Sequence, residues 1–375
     1  MNPAAPTPRY LLVSAHHDYR TARRSSIHFI ADQLARRGAV RFFSMRYSRL
    51  SRHKGDIRHA LDARANQIET QDGVECFLWK TTIHPINVHK TLLRPLESLL
   101  FGIYRHTPCA TLEKWIRQAD VIIYESGIAP VLFDRAKRLN PQARHIYLCN
   151  DELQTIDAAD YAVRTLNRVA PEMDSVILLA RSMVSSLPPS VNAFFVPHGL
   201  DPSLGAMGDP SPYGPGKHVV SIGSMLFDED FFVTASHAFP ALTFHIIGSG
   251  RPYCDGYGLN VKVYDHMPYD RTIRYIKHAQ IGIAPYRAKS VPAYLADSSM
   301  KMMQYDFFGL PTVCPHSVTG DYGGRFGYTP GNAVSIQAVI AQALDAPHNR
   351  TRNILSWSEV TQRILQPQDF EDTRL

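Results

Sequence analysis

The chain has 375 residues, 45% of them hydrophobic and 20% charged, with a formal net charge of +6, which excludes a disordered chain and leaves room for two domains with separate cores. Five cysteines, at 76, 109, 149, 254 and 314, are odd in number, scattered and without a CxxC pair, so a disulfide scaffold is excluded and reduced thiols are expected. The opening MNPAAPTPRY has no apolar core and no apolar run reaches about 18 residues, so neither a signal peptide nor a membrane span is expected.

Apolar, β-rich runs alternate with longer helical patterns along the chain: YLLVSA (10–15), VRFFSM (40–45), VECFLW (74–79), VIIY (121–124), RHIYLC (144–149), SVILLA (175–180) and AFFVP (193–197). After a stretch dense in Pro and Gly, HGLDPSLGAMGDPSPYGPGKH, the alternation resumes with HVVSIG (218–223), LTFHIIG (242–248), VKVY (261–264), IGIAPY (281–286) and TVC (312–314). Strands separated by helices predict parallel sheets covered on both faces, and so an α/β chain of two doubly wound, Rossmann-like domains with ligands in the cleft between them. The expected division is an N-terminal domain over 1–200, a linker over 201–217, a C-terminal domain over 218–345, and a segment 346–375 packing back on the N-terminal domain.

The positive charge is uneven: residues 1–105 hold seventeen Lys and Arg against eight Asp and Glu, leaving −3 for the rest. RTARRSSIHF and RYSRLSRHKGDIR crowd arginines with few acids, the footprint of a nucleic acid, a phosphorylated ligand or a lipid surface, or simply a solvated basic face. Nucleic acid fits worst, because aromatics are not interleaved as stacking platforms. The first strand-to-helix junction, LLVSAHHDYRTARRSS, lacks the GxGxxG of a dinucleotide site. Adjacent His16 and His17 at one strand end point to opposite sides, which disfavours a metal; Arg20, Arg23 and Arg24 are better placed to meet a phosphate.

Leu92, Leu96, Leu99 and Ile103 recur at helical spacing among Lys90, Arg94 and Arg105. Such a segment either lies in the headgroup region of an anionic membrane or packs on a core with its polar face outward. After RHIYLC comes Asp151, placed either to accept a proton from a hydroxyl nucleophile or to cap a helix. HVVSIGSM and HIIGSG end strands in glycine turns that admit a ligand close to backbone N–H groups. Asp228, Glu229 and Asp230 read as a helix cap and first turn rather than a metal-binding DxD. In YLADSSMKMMQYDFFGLPTVCP, Asp297, Ser298 and Ser299 offer caps, Gly309 and Pro311 end the helix, and Lys301 falls in the first turn, where the helix dipole disfavours a cation. Lys301 therefore either snorkels to solvent or meets an anion on the helix N-terminus.

GSMLFD, FHIIGSG, YIKHAQIGIAPY, VPAYLADSSMKMMQYDFFGLP and RFGYTPGNA, with HDYRTARRSSIHFI and RFFSMRYSRLSRHKGD, resemble the GumK-like, xanthan-type glucuronosyltransferases, membrane-associated inverting enzymes of the GT-B fold. The likeness runs along nearly the whole chain. It implies transfer of glucuronic acid from UDP-glucuronate to a polyprenyl-pyrophosphate-linked oligosaccharide in exopolysaccharide biosynthesis, without cofactor or metal, by a peripheral protein on the cytoplasmic face of the inner membrane. By the same resemblance Asp151 is the general base, and Arg23, Met225, His266, Met267, Tyr286, Ser299, Met300, Lys301 and Gln304 are donor-site residues. Lys90, Leu92, Arg94, Leu96, Leu99 and Ile103 then face the membrane and acceptor. The chain departs from the family pattern at His266, where an acidic residue precedes the methionine, and at Glu152, which replaces a small residue. A related GT-B transferase using another UDP-sugar is the alternative.

Overall fold

The computed structural model describes residues 7–53, 55–88, 90–156, 158–206, 210–287, 291–349 and 354–375. The middle of the expected linker, 207–209, and part of the C-terminal segment, 350–353, lie outside the described residues. The chain divides into two units, Met1–Pro197 with Trp357–Leu375, and His198–Ser356.

The first unit carries β1 (Arg9–Ser14), β2 (Ala39–Tyr47), β3 (Ile68–Gln71), β4 (Val74–Lys80), β5 (Val121–Glu125), β6 (Arg144–Cys149), β7 (Ser175–Leu178) and β8 (Ala193–Phe195). They form one sheet in the order β3-β4-β2-β1-β5-β6-β7-β8. The central strands are buried along nearly their whole length, the mark of parallel strands covered on both faces. Only β3 and β4 pair antiparallel among the described strands. They are joined through Asp72 and Gly73, whose φ angles of 49° and 80° are those of a primed hairpin turn. Polar IETQ gives β3 no apolar signature, which is why the apolar runs did not predict it. Helix Trp357–Leu365 packs on helix Ser26–Ala35, with the Phe29 and Trp357 rings stacked 4.9 Å apart. The C-terminal segment is thus split, its part up to Ser356 belonging to the second unit.

The second unit carries β9 (Lys217–Ile222), β10 (Leu242–Ile247), β11 (Val261–Tyr264), β12 (Ile281–Ile283), β13 (Thr312–Pro315) and β14 (Arg325–Tyr328). All are parallel, in the order β11-β10-β9-β12-β13-β14. Phe231, Phe232, Phe244, Ile281, Ile283 and Val313 fill one side of its core, each fully buried apolar side chain contributing about 1.5–3 kcal/mol. Leu200 and Leu204 lie in the core on the other side, with Tyr213 packed against them. The described parts of the stretch expected as a linker are therefore built into this unit, because its apolar residues find a hydrophobic core there. Among the described residues no helix is long and apolar enough to cross a membrane.

Candidate functional site

The helix Met300–Phe308 opens on Ser299, whose side chain accepts from the Met302 N–H, and closes on Gly309 in the left-handed conformation. Its far end is braced by a fully buried ion pair, Asp306 to Arg325 at 2.8 Å. In between, the Tyr305 hydroxyl donates toward the Val220 and Ile283 carbonyls of β9 and β12. At the near end the Tyr286 and Ser299 hydroxyls lie 2.7 Å apart. A rigid helix start is thereby held at the carboxyl ends of β9 and β12.

Lys301 sits on that start. Its Nζ is enclosed without a hydrogen-bond partner among the described residues, 5.0 Å from the centre of the Tyr286 ring. It faces the glycine turn that ends β9: a Cβ on Gly223, whose φ is 79°, would lie 4.0 Å from Nζ. Burial pushes the Lys301 ammonium down to about 7. The snorkelling alternative is thus replaced by an enclosed amine, costly unless an anion joins it.

The other expected donor-site residues of this unit gather around the same strand ends. Met225 follows the Gly223 turn and is exposed, as is His266, whose ring lies against Gly248 at the end of β10. A Cβ on Gly248, whose φ is 65°, would meet His266 Nδ1 at 2.8 Å, so the glycine is what admits the ring. Met267 packs against the core, Met300 is half-buried, and the Gln304 Oε1 is enclosed without a hydrogen-bond partner among the described residues. Asp228 stands at the N-cap position of helix Glu229–Ala238, although its side chain makes no capping bond. Among the described residues no group of three or more His, Cys, Asp and Glu is placed to hold a metal ion.

In the first unit Asp151 lies in the turn after β6 and is half-buried. Ser126, just beyond β5, holds that turn: its Oγ accepts from the Asn150 N–H at 2.6 Å and the Asp151 N–H at 3.2 Å, and donates to the Leu148 carbonyl at 3.0 Å. Asp151 is in a turn, not at a helix N-cap. Burial raises the pKa of the neighbouring Glu152. Ser126 and the buried Glu125 were not expected; the only signal was polar Glu-Ser-Gly directly after the apolar VIIY. Burial works against the Glu125 charge, but His17, at 3.0 Å, and Ser14 outweigh it and hold its pKa below the usual range.

The arginines after β1 divide. Arg20 is enclosed and paired to Asp18 at 2.9 Å and to Glu69, and Arg24 is paired to Asp32 over the rings of Tyr19 and Phe29. These two, expected to meet a phosphate, already have protein carboxylates as partners. Arg23 is exposed and forms no ion pair with a described residue.

In the helix Arg94–His106, Glu97, Phe101 and Tyr104 point inward. Glu97 accepts from the Tyr161 N–H at 2.8 Å. The apolar row points outward: Leu92, in the turn just before the helix, is 94% exposed and Leu99 58%, with Leu96 and Ile103 also exposed and Leu93 extending the row. The core-packing alternative does not hold for this row. Lys90 is exposed, whereas Arg94 pairs with Asp160 at 2.8 Å and Arg105 with Asp134 at 3.3 Å.

Comparison with known proteins fits this picture. The family model for the N-terminal domain of the glucuronosyltransferase GumK matches residues 12–179. A UDP-glucuronate:glycolipid 2-beta-glucuronosyltransferase of Xanthomonas campestris pv. campestris is 53% identical over 380 residues, covering 100% of this chain and 95% of that protein. Among solved structures, Anabaena HepE in complex with UDP and glucose has a TM-score of 0.63 at 12% identity, covering 96% of this chain and 99% of that one. The trehalose-6-phosphate synthase OtsA has a TM-score of 0.64 at 8% identity, covering 97% and 100%. At such identities the structural likeness speaks for the fold alone, which is GT-B with two Rossmann-like domains. The identity to the Xanthomonas enzyme, sustained over the whole length, shows more: the chain belongs to the GumK family of glucuronosyltransferases.

Proposed function

We propose that this enzyme transfers glucuronic acid from UDP-glucuronate to a lipid-linked oligosaccharide, with inversion at the anomeric carbon. The observation that carries the reading is the enclosed Lys301 amine, without a hydrogen-bond partner among the described residues, on a helix start beside the Gly223 turn. A diphosphate there meets a lysine and backbone N–H groups together. The acceptor hydroxyl gives its proton to Asp151 as its oxygen bonds to the anomeric carbon. The bond from that carbon to the diphosphate oxygen breaks, and UDP leaves with the electron pair. Lys301 stabilises the departing charge in the role a metal plays elsewhere, with Arg23 as a second cation and Met225, Met267, Tyr286, Ser299, Met300 and Gln304 shaping the donor site.

The acceptor in this reading is a polyprenyl-pyrophosphate-linked oligosaccharide of exopolysaccharide synthesis. The exposed row Leu92, Leu93, Leu96, Leu99 and Ile103, beside exposed Lys90, lies on the headgroups of an anionic membrane. The location that follows is peripheral, on the cytoplasmic face of the inner membrane.

Calorimetric titration with UDP, UDP-glucuronate and UDP-glucose, with EDTA throughout, tests the donor. Preference for UDP-glucuronate supports the reading. Equal or tighter binding of UDP-glucose moves the donor to another UDP-hexose, a second reading favoured by the exposed imidazole of His266 where the resemblance implies an acid. Asp151→Ala is expected to abolish transfer while leaving UDP binding nearly intact; normal turnover by that variant removes the base assignment.

A further inference from the structure

Arg46 is a second partly enclosed cation that forms no ion pair with a described residue. It lies where the register between β2 and β4 shifts, between Ser44 and Tyr47, and its φ is 59°. Bulges of this kind re-aim a side chain and gather near functional sites, and a left-handed non-glycine residue persists only where its surroundings fix it. Here they do. The Arg46 N–H donates to the Tyr104 hydroxyl at 2.7 Å, and its carbonyl accepts from Arg58 and from Ser51, each at 3.4 Å.

The guanidinium so aimed forms no ion pair among the described residues, the nearby Asp56 being taken by Arg58, and its Nε is enclosed there without a hydrogen-bond partner. Neighbouring arginines of the same unit are matched: Arg41 to Glu75 at 2.8 Å and Arg58 to Asp56 at 2.7 Å. Burial, and then the nearby Arg58, lower the Arg46 pKa more than Tyr104 and Asp56 raise it, yet an arginine does not give up its proton. A fixed, partly enclosed positive charge with no ion pair of its own is unfavourable until an anion arrives.

Position says which anion. Arg46 is at the carboxyl end of β2, the end where ligands of parallel sheets bind. Asp151 is at the same end of β6, three strand spacings away across β1 and β5, or about 14 Å. One reacting hydroxyl does not reach both. Tyr104, which anchors Arg46, belongs to the helix whose other face shows the exposed leucine row. We propose that Arg46 binds the phosphate or diphosphate that joins the acceptor's sugar to its lipid, gripping it through the guanidinium fork at the level where the leucine row meets the membrane. This rests on the lipid-linked acceptor proposed above.

The test is calorimetry with UDP saturating, titrating geranyl diphosphate, inorganic pyrophosphate and phosphatidylglycerol vesicles into wild type, Arg46→Gln and Arg46→Lys. Geranyl diphosphate is expected to bind wild type more tightly than inorganic pyrophosphate, to weaken about tenfold or more in Arg46→Gln, and to recover in part in Arg46→Lys. Vesicle binding is expected to stay unchanged. Equal affinity of wild type and Arg46→Gln for geranyl diphosphate overturns the proposal. So does a loss confined to vesicles, which assigns Arg46 to bulk headgroups, or an equal loss in both variants with a lowered Tm, which assigns it to the fold. The readout is independent of turnover, so a wild type that transfers no glucuronate refutes the proposed function without deciding this site.

Discussion

The junction after β1 and the helix start after β12 are both strand-to-helix connections carrying cations, and they put them to opposite uses. After β1, Arg20 meets Asp18 and Glu69, and Arg24 meets Asp32; these charges are neutralised within the fold. At Met300–Phe308 the Lys301 amine lies beside an aromatic ring and a glycine turn. A paired buried cation holds structure, whereas an unpaired one reserves its field for a ligand. The difference lies in neighbours, because the sequence offers both junctions as places to meet a phosphate.

The largest way to break this comparison is Arg20→Ala. Removing one partner of a buried ion pair costs about 3–5 kcal/mol, so urea denaturation should show a large loss of stability while the folded fraction keeps its affinity for UDP. Next is Lys301→Met, expected to weaken UDP binding by about 1.5–3 kcal/mol, the range for a charged hydrogen bond, without lowering Tm. If Lys301→Met unfolds the protein as Arg20→Ala does, the two junctions are alike and the contrast is lost.

Lys301 also makes the contrast sensitive to pH. Its amine titrates near 7 in the free protein because of burial, and a bound diphosphate raises that value. Affinity for UDP is therefore full below pH 7 and falls as pH rises above it, and binding at pH 8 should take up a proton, read as a dependence of binding heat on buffer ionisation enthalpy. In the unliganded protein the folded pKa lies below that of an unfolded lysine, about 10.4. The unfolded chain then holds more protons between these values, so this group's contribution to stability rises with pH across that window; Lys301→Met should remove both slopes. The smallest effect is Tyr286→Phe, which deletes the bond to Ser299 and should cost about 0.5–1.5 kcal/mol in stability, with a slight loosening of UDP because the helix start is less well held.

Most of the fold was legible. Apolar runs marked every strand except β3 and β14, and those two are edge strands, β3 at one end of the first sheet and β14 at one end of the second. Edge position is not by itself the cause, since β8 and β11 are edges too; IETQ is polar throughout and RFGY is interrupted by Arg325 and Gly327, so neither reads as an apolar run. The helix of Lys301 was legible at both ends because Ser299 and Gly309 act locally, through backbone geometry. The outward turn of the leucine row was not, since periodicity locates a stripe and leaves open whether core or solvent faces it.

By itself, then, the sequence determined what depends on near neighbours in the chain: strands, caps, glycine turns, and the long likeness to one transferase family. Tertiary structure alone decided which cations are neutralised. The carboxylate that holds Arg20 comes partly from Glu69 on β3, and the enclosure of Arg46 comes from Arg58 and Tyr104. Electrostatic partners are chosen by distance in space, and a chain read in order does not contain that distance until the sheet has brought its strands together.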